Sequence, residues 1–530
     1  MGYNRIWYVL LVCMAGLLWS QQALGVVYVD KDRPAGGDGT SWAKAYNSLE
    51  TAVADNQYDG AEFWIAEGTY MPSAPFILAG LSGNNPFFYF YGGFAGNETS
   101  PVQRDIAKHP VIIDGQGFLA HIFYATTAVD RARFDGLTIQ RGAALGAKGE
   151  DTGQGGAILA NQLSSVVITN CTFKNNKSNG FGGAVAVVNS LSVSIANSTF
   201  TGNESLQSAG GAIALFWGKG AQPKATIEKN YFEDNKAAID GGAVYSGYYP
   251  LTLKDSTFVG NTSVQIAGAV KFDYNNNTVN RIERCIFLGN KVTGSGVGGA
   301  LQVFAQSVVV ENSVFAHNSS VDSGGAVGLH SGKDDPDPAN YNPAMTATFT
   351  NCTFYGNAGL WGGALASIEV PTVNIHNSIL WGNGANKGWF PGEPTNDYAI
   401  WGGDSVTIIN SDIETLDWHH SWPEVPETHT NSFSADPLFF DPDGEDDLPG
   451  TRDDNLSITG GSPCTDSADG TYAPITDIVN RARTDNPVVA NSGTGTPVFA
   501  DIGAYEGPYT PPTPVPDGVN LIPIRYLLIK

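Results

Sequence analysis

Between residues 155 and 383 apolar and polar positions alternate in short runs, and the runs recur. Seven Phe-x-x-Asn motifs begin at Phe173, Phe200, Phe232, Phe258, Phe287, Phe315 and Phe354, and Leu380 to Asn383 is a leucine variant. The fifth residue before each of these eight positions is Ile168, Ile195, Ile227, Leu253, Ile282, Val310, Phe349 or Ile375, all apolar. The fourth is Thr169, Ala196, Glu228, Lys254, Glu283, Glu311, Thr350 or His376, mostly polar. This inside/outside alternation belongs to a strand with one buried face. Ahead of each strand run stands Gly-Gly-Ala-aliphatic, at Gly155, Gly182, Gly210, Gly241, Gly298, Gly324 and Gly362, with Ala267-Gly268-Ala269-Val270 as a degenerate copy.

The phenylalanines lie 26 to 39 residues apart, so loops vary while the strand content stays fixed. A period in this range marks a solenoid, whose units bury their apolar sides only by stacking. The prediction is an all-β, single-stranded, right-handed parallel β-helix. Each coil rises roughly 4.8 Å on the last, and parallel crossovers are overwhelmingly right-handed. Phe over Phe and Ile over Ile form internal columns. The paired glycines supply positions where a side chain would clash or φ must be positive, and each Asn of Phe-x-x-Asn sits in a turn bonded to the next Asn. Asn47-Ser48-Leu49-Glu50 has capping-box spacing ahead of an apolar-periodic stretch, which places a short helix near 48 to 56 to close the N-terminal end. Strands are expected at 62 to 67 and 87 to 91.

Composition adds compartment. Arg5, an apolar run from Ile6 to Trp19 and Ala23-Leu24-Gly25 read as a secretory signal over 1–25. The expected division continues with an N-terminal cap and first coils over 26–154, the repeat helix over 155–413, C-terminal coils with an acidic loop over 414–506, and a proline-rich linker and tail over 507–530. A formal net charge of −24 argues against nucleic acid and anionic lipid as partners and is compatible with calcium. Cys171, Cys285 and Cys352 share one repeat position, two before the Phe. They are separated by roughly 19 Å and 10 Å at one coil per step, too far for disulfides, so they read as buried free thiols alternating with Ser198, Ser256 and Ser313. The tail from Val519 to Lys530 is too short to span a bilayer. A monomer with no transmembrane span in the mature chain is expected.

Further motifs carry a resemblance. Gly36-Gly37-Asp38-Gly39-Thr40-Ser41-Trp42, Trp64 to Tyr70, Tyr91 to Glu98 and Gln103-Arg104-Asp105 look like the opening of large secreted bacterial β-helix proteins. The Gly-Gly-Ala-Ile and Phe-x-x-Asn repeats resemble those of the chlamydial polymorphic outer-membrane proteins. Ala435-Asp436-Pro437-Leu438-Phe439, Gly461-Ser462-Pro463-Cys464 and Asp501-Ile502-Gly503-Ala504-Tyr505-Glu506 are similar to the closing region of the choice-of-anchor Q proteins. The resemblance implies a secreted or cell-surface solenoid of pectate-lyase-like fold, in the chlamydial relatives an adhesin. Those relatives end in an outer-membrane barrel, and nothing after Glu506 reads as one.

Chemistry is sparser. Many parallel β-helices resemble pectate lyases or polygalacturonases, so the outward stripe Glu228, Lys254, Glu283 and Glu311, with Arg281 and Arg284 beside it, is a place to look for a catalytic pair, Glu283 and Glu311 being the candidates. The alternative, which the alternating signs favour, is an exposed charge ladder. Asp441, Asp443, Glu445 and Asp447 alternate around Gly444 and suit a hard cation, structural calcium, although the twelfth position of an EF-hand is filled by Arg452. A solvated acidic turn is the alternative. Trp389, Trp418 and Trp422 sit on long insertions and could stack on sugar rings or pack the loops down. His419 and His420 have no third ligand nearby for zinc. The expected function is adhesion or glycan binding without catalysis, with a polysaccharide or cell-surface ligand. The alternative is a polysaccharide lyase or glycoside hydrolase.

Overall fold

The computed structural model describes residues 25–80, 86–217, 223–274, 278–385, 397–401, 403, 405–416, 420–421 and 425–507. Its strands form three long parallel sheets that run the length of the molecule. Sheet 1 has 14 strands, from Val26–Val29 to Glu427–Thr430, and sheets 2 and 3 have 12 each. A narrow ladder of two-residue strands joins sheet 2 to sheet 3. One coil takes the chain from sheet 3 (Ile158–Asn161) to sheet 1 (Ser165–Thr169), sheet 2 (Thr172–Lys174) and the ladder (Lys177–Ser178), then back to sheet 3 at Val185–Val188. This is a single-stranded parallel β-helix.

The columns are in register. Phe173, Phe200, Phe232, Phe258, Phe287, Phe315 and Phe354 pair rung to rung in sheet 2, with ring centroids 4.7 to 4.9 Å apart and planes within 10° of parallel. The sheet 1 column runs from Ile168 through Ile195, Ile227, Leu253, Ile282, Val310 and Phe349 to Ile375. All are buried in one continuous core. Each asparagine of Phe-x-x-Asn is buried too, and the next asparagine satisfies it. Asn203 Oδ1 accepts from both the backbone N and Nδ2 of Asn176 at 3.0 Å, and Asn235, Asn261, Asn290, Asn318, Asn357 and Asn383 repeat the arrangement. A second amide Nδ2 hydrogen goes to the carbonyl of a phenylalanine, as from Asn203 to Phe173. Buried amides this completely paired cost nothing in desolvation left uncompensated.

The two glycines of each pair have different duties. Gly241 lies at φ +60, where an L side chain is strained, whereas Gly242 has an ordinary φ but a Cβ there would collide with the carbonyl oxygen of Gly268 in the next coil. The degenerate copy puts Ala267 at φ +59, in the conformation that its sister copies fill with glycine. Cys171, Cys285, Cys352 and Cys464 are free and buried. The backbone N of Cys171, Cys285 and Cys352 donates to Ser198, Ser313 and Ser378 respectively.

Helix α1 (Leu49–Asn56) closes the N-terminal end by burying Leu49, Ala52 and Val53 in the core. Its N-cap is Ser48, whose side chain accepts from Thr51 N. The expected capping box, which pairs Asn47 with Glu50, does not form: the cap falls one residue later at Ser48, and the Glu50 carboxylate accepts from the backbone N and hydroxyl of Ser73.

After the last strand of sheet 1 the chain does not add coils. Residues 433–507 fold back across the outer face of sheet 2, where Leu456, Ile478, Ala504 and Tyr505 cover Tyr231, Ile286, Leu288, Val314 and Ala316. Ile458, Cys464, Ala468, Ala500 and Ile502 cover Ile379. The contacts that hold this segment come from the left-handed corner between sheets 1 and 2. Asn351 Nδ2 donates to the carbonyls of Asp501 and Gly503, Asn377 Nδ2 to that of Asp469, Asn312 Nδ2 to that of Thr476 and Asn410 Nδ2 to that of Ser467. The Asp501-to-Glu506 motif is therefore part of a clasp, in which buried Arg483 pairs with Glu506 at 2.8 Å. Among the described residues no helix is long and apolar enough to cross a membrane.

Candidate functional site

Outward positions of sheet 3 are small or apolar in most coils: Leu159, Ala186, Ala214, Gly328 and Ala366 occupy one column. Three consecutive rungs break it. Tyr245, Lys271 and Gln302 stand in register there, all buried. In the neighbouring outward column Phe216, Gly247 and Asp273 follow one another. The missing side chain at Gly247 makes the room: a Cβ would stand 3.1 Å from the Phe216 ring and 3.1 Å from the Tyr245 hydroxyl. Tyr245 can therefore cross the gap and donate to Asp273 Oδ2 at 2.9 Å.

Lys271 is the centre of this group. Its ammonium is 2.8 Å from Asp240 Oδ2 and 3.4 Å from Asp273 Oδ2. Asp240 arrives from the turn that precedes Gly241, one coil before Lys271. All three are nearly out of reach of solvent: Lys271 is 7 % exposed, Asp240 8 % and Asp273 6 %. Burial would lower the lysine, but Asp273 and Asp240 outweigh it and hold the ammonium charged above its ordinary range. Burial raises the Asp240 carboxyl against the opposing pull of Lys271, and burial and Asp273 drive the Tyr245 phenol far up. Two buried oxygens in this group, Asp240 Oδ1 and Gln302 Oε1, have no hydrogen-bond partner among the described residues.

Aromatic rings border the group. Phe181 lies 5.8 Å from Phe216 and 5.6 Å from Tyr245. Tyr248 and Tyr274 stack at 4.7 Å with 9° between planes, and Phe216 meets Tyr248 edge-on at 6.5 Å. Phe181, Phe216, Tyr248 and Tyr274 are part-exposed. Both stacked tyrosines occupy the left-handed corner after their sheet 3 strand, at φ +63 and +68, the conformation that Gln162, Asn189, Ala305 and Glu369 adopt at the same corner of other coils. Gln306, buried, braces this corner by donating to the carbonyls of Asp273 and Tyr274. The arrangement offers part-exposed ring faces above a buried floor whose charges are paired with one another.

The residues singled out from the sequence lie elsewhere. Glu228, Lys254, Glu283 and Glu311 do stand rung to rung on the outer face of sheet 1. Lys254 is 3.8 Å from Glu283, as a charge ladder requires. Burial first, and then the neighbouring Glu283, push the Glu311 carboxyl up. Arg284 is taken by Asp255 at 2.6 Å. Asp441 ends a strand (Phe439–Asp441), and Asp443, Glu445 and Asp447 occupy the exposed or half-exposed turn after it. Burial and then the crowd of Asp443, Asp447, Asp453 and Glu445 raise the Asp441 carboxyl. Among the described residues no three His, Cys, Asp or Glu side chains gather closely enough to hold a metal ion. Trp389, Trp418, Trp422 and His419 lie outside the described residues.

Sequence reasoning missed Lys271 and its partners because they depart from the repeat. The available signal was Tyr245, Lys271 and Gln302 at a position that the other Gly-Gly-Ala copies fill with Leu, Ala or Gly, and it needed those copies to be aligned on their Gly-Gly pairs.

Comparison with known proteins supports the fold. A family model described as "Right handed beta helix region" matches residues 130–279 and 206–340, and the chain is a right-handed parallel β-helix. Among curated proteins none matches the chain. Among solved structures, the chain is similar to pectate lyase Pel9A at 14 % identity and a TM-score of 0.33, covering 91 % of this chain and 96 % of that one. It is similar to a PL6 alginate lyase in complex with a trisaccharide at 14 % identity and 0.39, covering 78 % and 86 %. A rhamnogalacturonan lyase gives 13 % and 0.29, covering 82 % and 96 %. These likenesses concern the course of the chain and carry nothing about its chemistry.

Proposed function

We propose that the protein is a secreted or cell-surface β-helix that binds glycan without cleaving it, on the outer face of sheet 3 around Lys271. The observation that carries this reading is the stack of two part-exposed tyrosines, Tyr248 and Tyr274, with ring centroids 4.7 Å apart and the part-exposed ring of Phe216 beside them. Sugars offer the complement, with apolar C–H faces for the rings. Lys271 does not suit a general base, since a base must be unprotonated and two carboxylates keep this ammonium charged. Its part is to hold Asp240 and Asp273 in place.

The test is a glycan array with the chain from residue 26 onward, followed by calorimetry on any hit. Tyr248→Ala and Tyr274→Ala should each weaken binding at least tenfold while leaving the melting temperature near that of the parent. Binding that is unaffected by both variants removes this face from the reading.

A second reading, hydrolysis or lyase cleavage of extracellular polysaccharide, has one observation in its favour: burial and Glu283 raise Glu311 on the adjacent rung, and carboxylates whose environments pull them apart are how acid and base roles are divided. Shortened products from a polysaccharide panel, abolished in both Glu283→Gln and Glu311→Gln, would establish it. A structural calcium held by Asp441, Asp443, Glu445 and Asp447 is a separate proposal, tested by titrating calcium into the same chain by calorimetry.

A further inference from the structure

Independently of the glycan-binding reading, we infer that Lys271 Nζ and the Asp240 side chain join in an intramolecular amide bond that staples two successive coils, with the Asp273 carboxylate carrying the proton that the reaction must move. The reactants are already in contact. Asp240 Oδ2 lies 2.8 Å from Nζ, and a carbon–oxygen bond of about 1.2 Å keeps the Asp240 carboxyl carbon within about 4 Å of the nitrogen. Asp273 Oδ2 stands 3.4 Å from the same nitrogen and accepts from the Tyr245 hydroxyl, which fixes its position. The two partners belong to different coils: Asp240 precedes Gly241, and Lys271 lies 31 residues on, in the next sheet 3 strand, Val270–Asp273.

Burial turns this contact into reactivity. Among the described residues no other lysine is buried, and Lys271, Asp240 and Asp273 are 7 %, 8 % and 6 % exposed. Two carboxylates and one ammonium therefore share a site with little water, and Asp240 Oδ1 has no hydrogen-bond partner among the described residues. A buried ion pair gains little over its desolvation cost, and an unpartnered carbonyl oxygen is less costly to bury than an unpartnered carboxylate oxygen. A neutral amide removes both charges at once. The held contact supplies the effective concentration that the two groups lack in solution, and exclusion of water suppresses the reverse hydrolysis.

The reaction balances without an outside reagent. The ammonium is charged at rest. Asp273 takes one of its protons, the freed lone pair on Nζ attacks the Asp240 carboxyl carbon, and that proton and a second from the nitrogen pass to the departing oxygen. One Nζ–Cγ bond forms, one Cγ–O bond breaks and one water leaves. The remaining amide N–H donates to Asp273, whose charge is unchanged.

Mass spectrometry of the chain from residue 26 onward, purified and then denatured, tests the bond. The linked protein should be about 18 Da lighter than its sequence, the mass of one water. Trypsin should release residues 237–254 and 255–281 as one branched peptide joined through Asp240 and Lys271, because an acylated lysine is no longer a cleavage site. Lys271→Arg keeps the charge and should show the full sequence mass. Asp273→Asn should cut the linked fraction at least tenfold in protein that still melts cooperatively. The full sequence mass in the parent, with no branched peptide, overturns the inference and leaves an ion pair only. So does a loss of water that persists in Lys271→Arg, which places it in a cyclic imide at Asp240-Gly241. A folded Asp273→Asn that links as completely as the parent overturns the part given to Asp273. Should that variant not fold, the parent and Lys271→Arg decide the bond between them.

Discussion

Asn383 donates its side-chain amide to Asp397 Oδ1 at 3.0 Å, so the buried asparagine column ends on a carboxylate. Thr415 supplies the other oxygen with its backbone N–H at 3.0 Å and its hydroxyl at 2.9 Å. Burial nevertheless pushes the Asp397 carboxyl up to about 7. Burial likewise pushes Asp501 up to about 8 and Asp412, Asp454 and Asp466 up to about 6. Each of these folded-state values exceeds that of an unfolded aspartate, about 3.9. The folded chain therefore holds more protons than the unfolded one across this window, and the stability they contribute is full below the unfolded value and lost as pH rises through 6 to 8. Other carboxylates act in reverse. Burial opposes it, but hydrogen bonds from Arg141 and Gln140 hold Asp114 below its ordinary range, and that contribution disappears on acidification. Burial also lowers His121, His317, His330 and His376, whose contribution is present above about 6.5 and lost as pH falls, so they oppose the aspartates in this window. The expectation that isolates Asp397 is a difference: between pH 5 and pH 8 the melting temperature of Asp397→Asn should rise relative to that of the parent. A scanning calorimetry series on both proteins checks it; a difference that stays constant across the range contradicts the assignment.

Removing one rung of the asparagine column should cost far more than one hydrogen bond. Asn261 Oδ1 accepts from the backbone and side chain of Asn235, and its own Nδ2 serves Phe232 and Asn290. Asn261→Ala leaves those buried partners unsatisfied, at about 1–3 kcal/mol each, so the expected destabilisation is about 3 kcal/mol or more. Urea unfolding of the variant measures it. A loss under about 1 kcal/mol would mean that water enters the column.

The glycine pairs allow three substitutions with different signs. Gly242→Ala should be the most damaging, since its Cβ runs into the backbone of the next coil. Gly241→Ala also costs stability, because it strains a φ of +60 and sets a Cβ against the Val244 carbonyl. Ala267→Gly should stabilise slightly: relief of strain worth about 1–2 kcal/mol outweighs the added chain entropy of about 0.5–1 kcal/mol. Denaturant midpoints of the three variants give the order directly.

Asn351 provides a handle on the folded-back segment. Asn351→Ala removes hydrogen bonds to the carbonyls of Asp501 and Gly503 and leaves the core columns intact. Limited proteolysis should then cut between residues 460 and 507 at least several-fold faster than in the parent, with the coils still resistant. Equal cleavage rates would show that the apolar cover alone holds the segment.

The columns were legible in the sequence because every coil repeats the same atoms at the same offset, so Phe200, Ile195 and Asn203 predict their neighbours without knowledge of the loops. The folded-back segment was not legible. Its docking side chains, Asn312, Asn351, Asn377 and Asn410, stand at coil corners with φ between +44 and +50 and belong to no motif singled out in the sequence. Only the outer surface reveals their second use. The Lys271 floor was hidden for the opposite reason: periodicity rewards agreement between coils, and this site is assembled from three successive disagreements. Glu50 shows the limit of local motifs: the helix is capped one residue later than the spacing implies, at Ser48, and the carboxylate serves Ser73, 23 residues away, instead.

The apolar patch formed by Tyr231, Ile286, Leu288, Val314 and Ala316 has a consequence in time. Its cover is translated some two hundred residues after Tyr231. Coils can stack as they emerge from the ribosome, yet this wall stays greasy until much later sequence arrives, so a nascent or stalled chain presents a surface that chaperones can read as unfinished.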